Sequence, residues 1–216
     1  MNENSSKQVL LSVLGIAVLV VAVVGVSFAF FTYSKTGEKN NTLTTGNIFF
    51  NFTEGNAITL TNEFPRTDTS GEALTESQNG ALTFHVVGYD SSEKGIEYTV
   101  YALQGDADAT KTRFKDSEIK LNLKAPATVV ENKFATSNVV GIDGSLANGV
   151  ILAKGKITAK SSATQQDDEY TLRMWISDAV TIGEGKSYTT AEYAKMYYSL
   201  KLKVVAATTG TTQPGV

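Results

Sequence analysis

The chain has 216 residues, no cysteine, one histidine and a formal net charge of −3. These counts exclude a disulfide scaffold, a thiolate metal site, a thiol nucleophile and a zinc site built from several histidines. The mildly acidic balance, with no basic stripe, excludes a nucleic-acid partner, while 42% apolar residues suffice for a core.

Met1 to Gln8 is polar and carries Lys7. Val9 to Val26 then runs apolar, broken only by Ser12, Gly15 and Gly25. As a helix, such a run nearly spans the hydrocarbon core of a bilayer. It leads into Gly25-Val26-Ser27-Phe28-Ala29. Ser27 and Ala29 take the small-x-small positions that a signal-peptidase cleft admits, and cleavage there leaves Phe30 as the new N-terminus. Gly25 and Ser27 form a second such pair. The run is longer than an ordinary signal core, so an uncleaved anchor stays open beside cleavage. Both readings place the remainder outside the cytoplasm, and membrane contact is expected only through residues 9–26 if they are retained. The expected division is a signal segment over 1–29, one β-sandwich domain over 30–205 and a Thr/Gly-rich tail over 206–216.

The remainder shows strand periodicity. Apolar residues alternate with polar ones at Ile48, Phe50 and Phe52, at Ile58 and Leu60, and at Leu82, Phe84 and Val86. The pattern continues at Ile96, Tyr98 and Val100, and at Ile119, Leu121 and Leu123. It closes with Tyr170, Leu172, Met174 and Ile176, then Tyr198, Leu200, Leu202 and Val204. Such alternation buries one face of an antiparallel sheet and wets the other, so two sheets packed face to face are expected: an all-β, two-sheet antiparallel sandwich preceded by the hydrophobic signal helix. Turn-rich pieces fall at Thr67–Gly71, Gln78–Gly80, Asp90–Gly95, Gly141–Gly149 and Gly183–Gly185. Gly155 marks a bulge or bend within Val150–Lys160. Thr189 to Met196 reads as a short helix with Thr190 as its cap.

Candidate sites are few. His85 falls on the polar face of its strand and reads as a rim histidine, since a metal site needs further ligands. Asp106 and Asp108 are the one weak metal candidate, for calcium, but the EF-hand ligand pattern and its closing glutamate are missing. Asp167-Asp168-Glu169 reads as a solvated strand end that discourages edge pairing. Arg173 and Trp175 share the outward phase of their strand; they read either as a partly buried stacked pair or as an anchor contacting another subunit. No G-x-S-x-G elbow, P-loop or G-x-G-x-x-G is present, so neither a catalytic site nor a cofactor is expected.

Phe30-Phe31-Thr32-Tyr33 follows the cleavage site directly. An aromatic, β-prone chain end must be buried by its own fold or by a partner. It can pair within its own sheet. It can also complete the sheet of another copy, with Phe30, Phe31 and Tyr33 as the assembly strand, and such head-to-tail addition builds filaments.

The stretch from Gly25 to Ile48 resembles the start of the TasA/camelysin family. That family shows a long apolar signal, then Ala-[Phe/Tyr]-Phe, then Asn-x-[Phe/Leu]-x-x-Gly ahead of a strand. Ala29-Phe30-Phe31 and Asn41-Thr42-Leu43-Thr44-Thr45-Gly46 occupy those places. The likeness is specific over roughly residues 10–52. Pro65 and Asp68 stand where the family has a Pro-Gly-Asp turn, without its glycine. Tyr170–Ile176 and Tyr198–Val204 are similar to segments of secreted proteins from Bacillota. The resemblance implies cleavage between Ala29 and Phe30 by a SipW-type signal peptidase. It also implies a jelly-roll-like sandwich and polymerisation into a secreted, cell-surface matrix fibre through a donated N-terminal strand, with other copies and a matrix or anchoring protein as partners. The metallopeptidase label of the camelysin branch is not supported by a chain with one histidine and no H-E-x-x-H. The competing expectation is a tethered or secreted surface domain that binds a sugar or host ligand as a monomer.

Overall fold

The computed structural model describes residues 33–36, 41–45, 48–54, 58–78, 80–92 and 94–208. Ser27, Ala29, Phe30 and Phe31 lie outside them, as do the expected signal helix and the end of the tail. The described chain forms the expected sandwich of two antiparallel sheets. Sheet A has seven strands: β1 (Tyr33–Thr36), β13 (Met196–Thr208), β6 (Ile96–Gln104), β11 (Val150–Ile157) and β9 (Val129–Asn132) in spatial order, with β4 (Thr59–Thr61) and β7 (Thr112–Arg113) also on β13. Sheet B has six: β10 (Asn138–Val139), β8 (Ile119–Lys124), β12 (Gln166–Ile176), β5 (Ala81–Asp90), β3 (Ile48–Glu54) and β2 (Asn41–Thr45). Successive strands pass between the sheets at almost every connection, which gives the sandwich its jelly-roll character. Among the described strands, all pairings are antiparallel except β7 with β13.

The core lies where the alternation puts it. Phe50, Phe52, Leu82, Phe84, Val86, Ile119, Leu121, Leu123, Leu172 and Met174 from sheet B meet Leu60, Ile96, Val100, Leu200, Leu202 and Val204 from sheet A. Phe84 and Tyr170 stack with ring centroids 4.8 Å apart, and Phe52 meets Phe84 edge-on at 5.9 Å. Gly155 sits in β11 where the ladder shifts register against β9. A Cβ there would lie 2.2 Å from the Tyr98 hydroxyl, so the glycine makes room for a buried tyrosine rather than serving a turn.

Four features differ from expectation. Thr67–Gly71 is not a plain turn: Thr67 caps a short helix, Asp68–Glu72, by accepting from the Ser70 amide. The second helix is only Thr190–Tyr193, and its cap is Thr189, whose side chain pairs reciprocally with Glu192 in a capping box. β13 continues to Thr208, with Ala206 and Ala207 buried, so the sandwich outlasts residue 205. Small apolar residues carry the strand into the expected tail. Lastly, Asp168 is not solvated but buried.

Candidate functional site

The edge of β13 is the place where the chain's unusual N-terminus meets its core. β1 lies antiparallel to it, pairing Tyr33 with Ala206, Ser34 with Val205, Lys35 with Val204 and Thr36 with Lys203. β6 takes the opposite edge over the same residues. Tyr197 O and Ser199 O accept from the amides of Phe114 and Gly105, which puts β7 on the β6 side. β4, which also pairs with Tyr197, therefore lies on the β1 side. The free edge of β13 is thus covered in two pieces, β4 over residues 197–199 and β1 over 203–206. Among the described strands, β1 pairs with β13 alone and is the outermost strand of sheet A. Within this single chain the N-terminal strand pairs with its own sheet.

The second constellation joins the two sheets from inside. Asp168 of β12 is 1% exposed. Its Oδ2 accepts from the Tyr98 hydroxyl at 2.5 Å and from Gln166 Nε2 at 2.9 Å; its Oδ1 accepts from Thr128 Oγ1 at 2.6 Å. The Tyr170 hydroxyl is 2.7 Å from that of Tyr98. Because Tyr98 spends its proton on Asp168, Tyr170 is the donor to Tyr98. Burial pushes both phenol pKa values well above the ordinary tyrosine value, so both hydroxyls remain donors. Three donors satisfy a carboxylate that has no cationic partner among the described residues, and the cluster pins sheet A to sheet B. Sequence carried one sign of it: Asp168 is in phase with Tyr170, Leu172 and Met174, the inward residues of its strand.

A third cluster closes one end of the sandwich. Arg113 Nη1 pairs with Asp116 Oδ1 at 2.8 Å, and its guanidinium lies 4.1 Å from the centre of the Tyr198 ring. The Tyr198 hydroxyl donates to the same Asp116 oxygen at 2.8 Å. Burial works against ionisation of Asp116. Hydrogen bonds from Tyr198, the Leu146 amide and Arg113 outweigh it, so its pKa falls below the usual aspartate value. Phe114, Tyr188 and Tyr193 pack edge-on beside it, and burial lifts Tyr193 to about 12.

The other singled-out residues separate. Asp106 pairs with Lys201 at 2.6 Å, whereas Asp108 accepts from Thr110 and lies 3.5 Å from Lys111. They point to different partners, and no group of three or more possible metal ligands exists among the described residues. His85 Nδ1 is 2.8 Å from Asp167 Oδ1 on the half-exposed face of sheet B. Trp175 is 1% exposed, covered by Gly71 of the first helix, where a Cβ would lie 2.1 Å from the indole. Arg173 turns inward along the surface to donate from Nε to Leu74 O at 2.9 Å. Trp175 is thus committed to its own fold, whereas Arg173 stays partly exposed. The surface dip beside Trp175, lined by Leu60, Phe64, Leu74 and Met174 among others, leaves no enclosed room even for a water molecule, so it offers no small-molecule site. No helix of the described residues is long and apolar enough to cross a membrane.

No family model matches the chain, and no match is found among curated proteins or solved structures.

Proposed function

We propose that the chain is an exported structural subunit that joins copies of itself by exchanging its N-terminal strand. The observation that carries this reading is the placement of β1. A four-residue strand close behind an apolar leader forms the outermost ladder of a sheet and pairs with the longest strand of the fold. Its pairing uses main-chain hydrogen bonds, which a second copy supplies equally well. The core residues described in both sheets belong to later strands. One end of each subunit donates and a different surface accepts, so the contact is heterologous and the chain of copies stays open. A SipW-type peptidase would release the strand by cutting after Ala29, and the product would function outside the cell as a matrix fibre.

The cysteine-free chain makes a direct test available. Ser34→Cys with Val205→Cys places two thiols at directly paired positions. Oxidation of the processed protein under assembling conditions is expected to give a covalent ladder of copies that collapses on reduction. Disulfides confined within single chains at every concentration and pH would overturn strand exchange. Deletion of Phe30 to Ser34 is expected to abolish high-mass species while leaving the β-sheet circular dichroism intact. Stabilisation by a sugar without any assembly would favour the monomeric binding domain instead.

A further inference from the structure

Gln166 opens β12, and its side-chain amide is held at both ends. Oε1 accepts from the Thr158 amide at 2.9 Å and from Thr158 Oγ1 at 3.3 Å. Nε2 donates to Lys156 O and to Asp168 Oδ2, both at 2.9 Å. The Thr158 amide can only donate and Lys156 O can only accept, so these partners fix which end of the side chain is oxygen and which is nitrogen. The other oxygen of the same carboxylate, Asp168 Oδ1, accepts from Thr128 Oγ1 at 2.6 Å. One buried carboxylate thus holds a threonine hydroxyl on one oxygen and a glutamine amide on the other.

These are the parts of an acyl-transfer site. Thr128 supplies a hydroxyl nucleophile, and Asp168 is a base already hydrogen-bonded to its proton. The two Thr158 donors sit on the carbonyl oxygen, where negative charge develops when the amide carbon is attacked. The leaving nitrogen sits on the carboxylate that takes the hydroxyl proton. Tyr98 from sheet A and Tyr170 from sheet B hold that carboxylate in place. A glutamine that only tied loop 158–165 to its ends needs Thr158 and Lys156 alone.

We propose that Thr128 and Gln166 are a self-modification site, at which the folded chain joins its own side chains in an intramolecular ester. Thr128 Oγ1 bonds to Gln166 Cδ, and its proton passes to Asp168. The Cδ–Nε2 bond then breaks toward nitrogen, Asp168 returns the proton to that nitrogen, and ammonia leaves. No oxidant or cofactor enters, and Asp168 ends as the carboxylate it was. Folding itself brings the groups together, so the reaction is unimolecular. Thr128 stands directly before β9 of sheet A and Gln166 begins β12 of sheet B, so the new bond staples one sheet to the other. A chain without cysteine has no disulfide for that purpose. The ester does not depend on strand exchange.

The test is a peptide map of the full chain, held folded at neutral pH for days and then denatured and digested. Trypsin frees residues 125–133, which carry Thr128, and residues 161–173, which carry Gln166. Most parent molecules are expected to give the two as one joined species, one ammonia lighter than the separate peptides together. Hydroxylamine, which cleaves esters, should part them. Thr128→Val and Gln166→Glu should give separate peptides only, whereas Gln165→Glu should keep the joined species. Asp168→Asn, checked for the parent's β-sheet circular dichroism, should lower the joined fraction at a fixed early time by about tenfold or more. Separate peptides from the folded parent overturn the ester. Loss of ammonia mapped elsewhere, as by cyclisation at Asn148-Gly149, with residues 125–133 and 161–173 unjoined, overturns it too. An undiminished joined fraction in folded Asp168→Asn overturns the role of Asp168 as the base.

Discussion

Asp106-Ala107-Asp108 and Asp167-Asp168-Glu169 are two short acidic runs with opposite fates. In the first, Asp106 holds Lys201 and Asp108 holds Thr110, both at the surface of a loop. In the second, Asp168 is sealed between the sheets with three donors and, among the described residues, no cation. The difference is phase. The first run sits past the end of β6, where no ladder dictates direction. The second sits inside β12, where every second residue points into the core. An acidic residue in core phase must bring its own hydrogen-bond partners, and here they come from β6, from the β8–β9 connection and from its own strand.

The largest effect that sharpens this contrast is expected at Asp168. Asp168→Ala strands the buried Tyr98 hydroxyl, while Gln166 Nε2 keeps Lys156 O and the exposed Thr128 hydroxyl turns to water. A stranded buried donor costs about 1–3 kcal/mol and the lost bonds of the other two donors to a charged group add to it, so a total loss of about 3–5 kcal/mol is expected. Urea unfolding should show it as a lowered midpoint with an unchanged slope. A loss under about 1 kcal/mol would mean that the cluster is looser than its distances indicate. Next in size is Gly155→Ala, which drives a methyl group into Tyr98 and should cost about 1–3 kcal/mol by overpacking. Tyr98→Phe in the same background should leave that penalty largely in place, because the ring as well as the hydroxyl meets the new methyl group.

How far this was legible depends on whether a feature is local. Core-facing residues such as Phe84, Leu121, Leu172 and Leu202 follow from period-two alternation alone, and all are buried. The strands β7, β9 and β10 are two to four residues long and too short to show a period. Burial of Trp175 depends on a helix more than a hundred residues away in sequence, and nothing around Trp175 announces it. The capping of the second helix by Thr189 rather than Thr190 turned on which threonine stood three residues before Glu192. Asp168 was legible in phase, yet its flanking acids suggested a wet strand end. The N-terminal strand was legible as an aromatic β-prone segment, while its place on β13 required the register.

Asp116 stands between the two extremes. Its pKa is lowered in the fold, with burial opposing and the hydrogen bonds from Tyr198, Leu146 and Arg113 prevailing. A carboxyl with a depressed folded pKa contributes stability above its unfolded value near about 3.9, and that contribution fades as pH falls through the folded value. Asp116→Asn is expected to cost about 1–2 kcal/mol at neutral pH. It should also flatten the acid limb of the stability profile below about pH 4 relative to the parent chain. Equal acid limbs in the two proteins would show that Asp116 is not a source of that pH dependence.

The smallest effect is expected at the surface run, and it carries the sharpest question about metal. Asp106→Ala removes an exposed pairing with Lys201, a contact of the kind that contributes about 0–1 kcal/mol. A calcium site would need both carboxylates turned to one point with several more oxygens. Instead Asp106 faces Lys201 and Asp108 faces Thr110, with the Thr110 hydroxyl and amide lowering the Asp108 pKa and Lys111 adding to it. Millimolar calcium is therefore expected to leave the thermal midpoint unchanged in the parent and in Asp106→Ala alike. A calcium-dependent rise in the parent that vanishes in the variant would show that the loop rearranges to bind the ion. In that event the two acidic runs would differ in ligand as well as in phase.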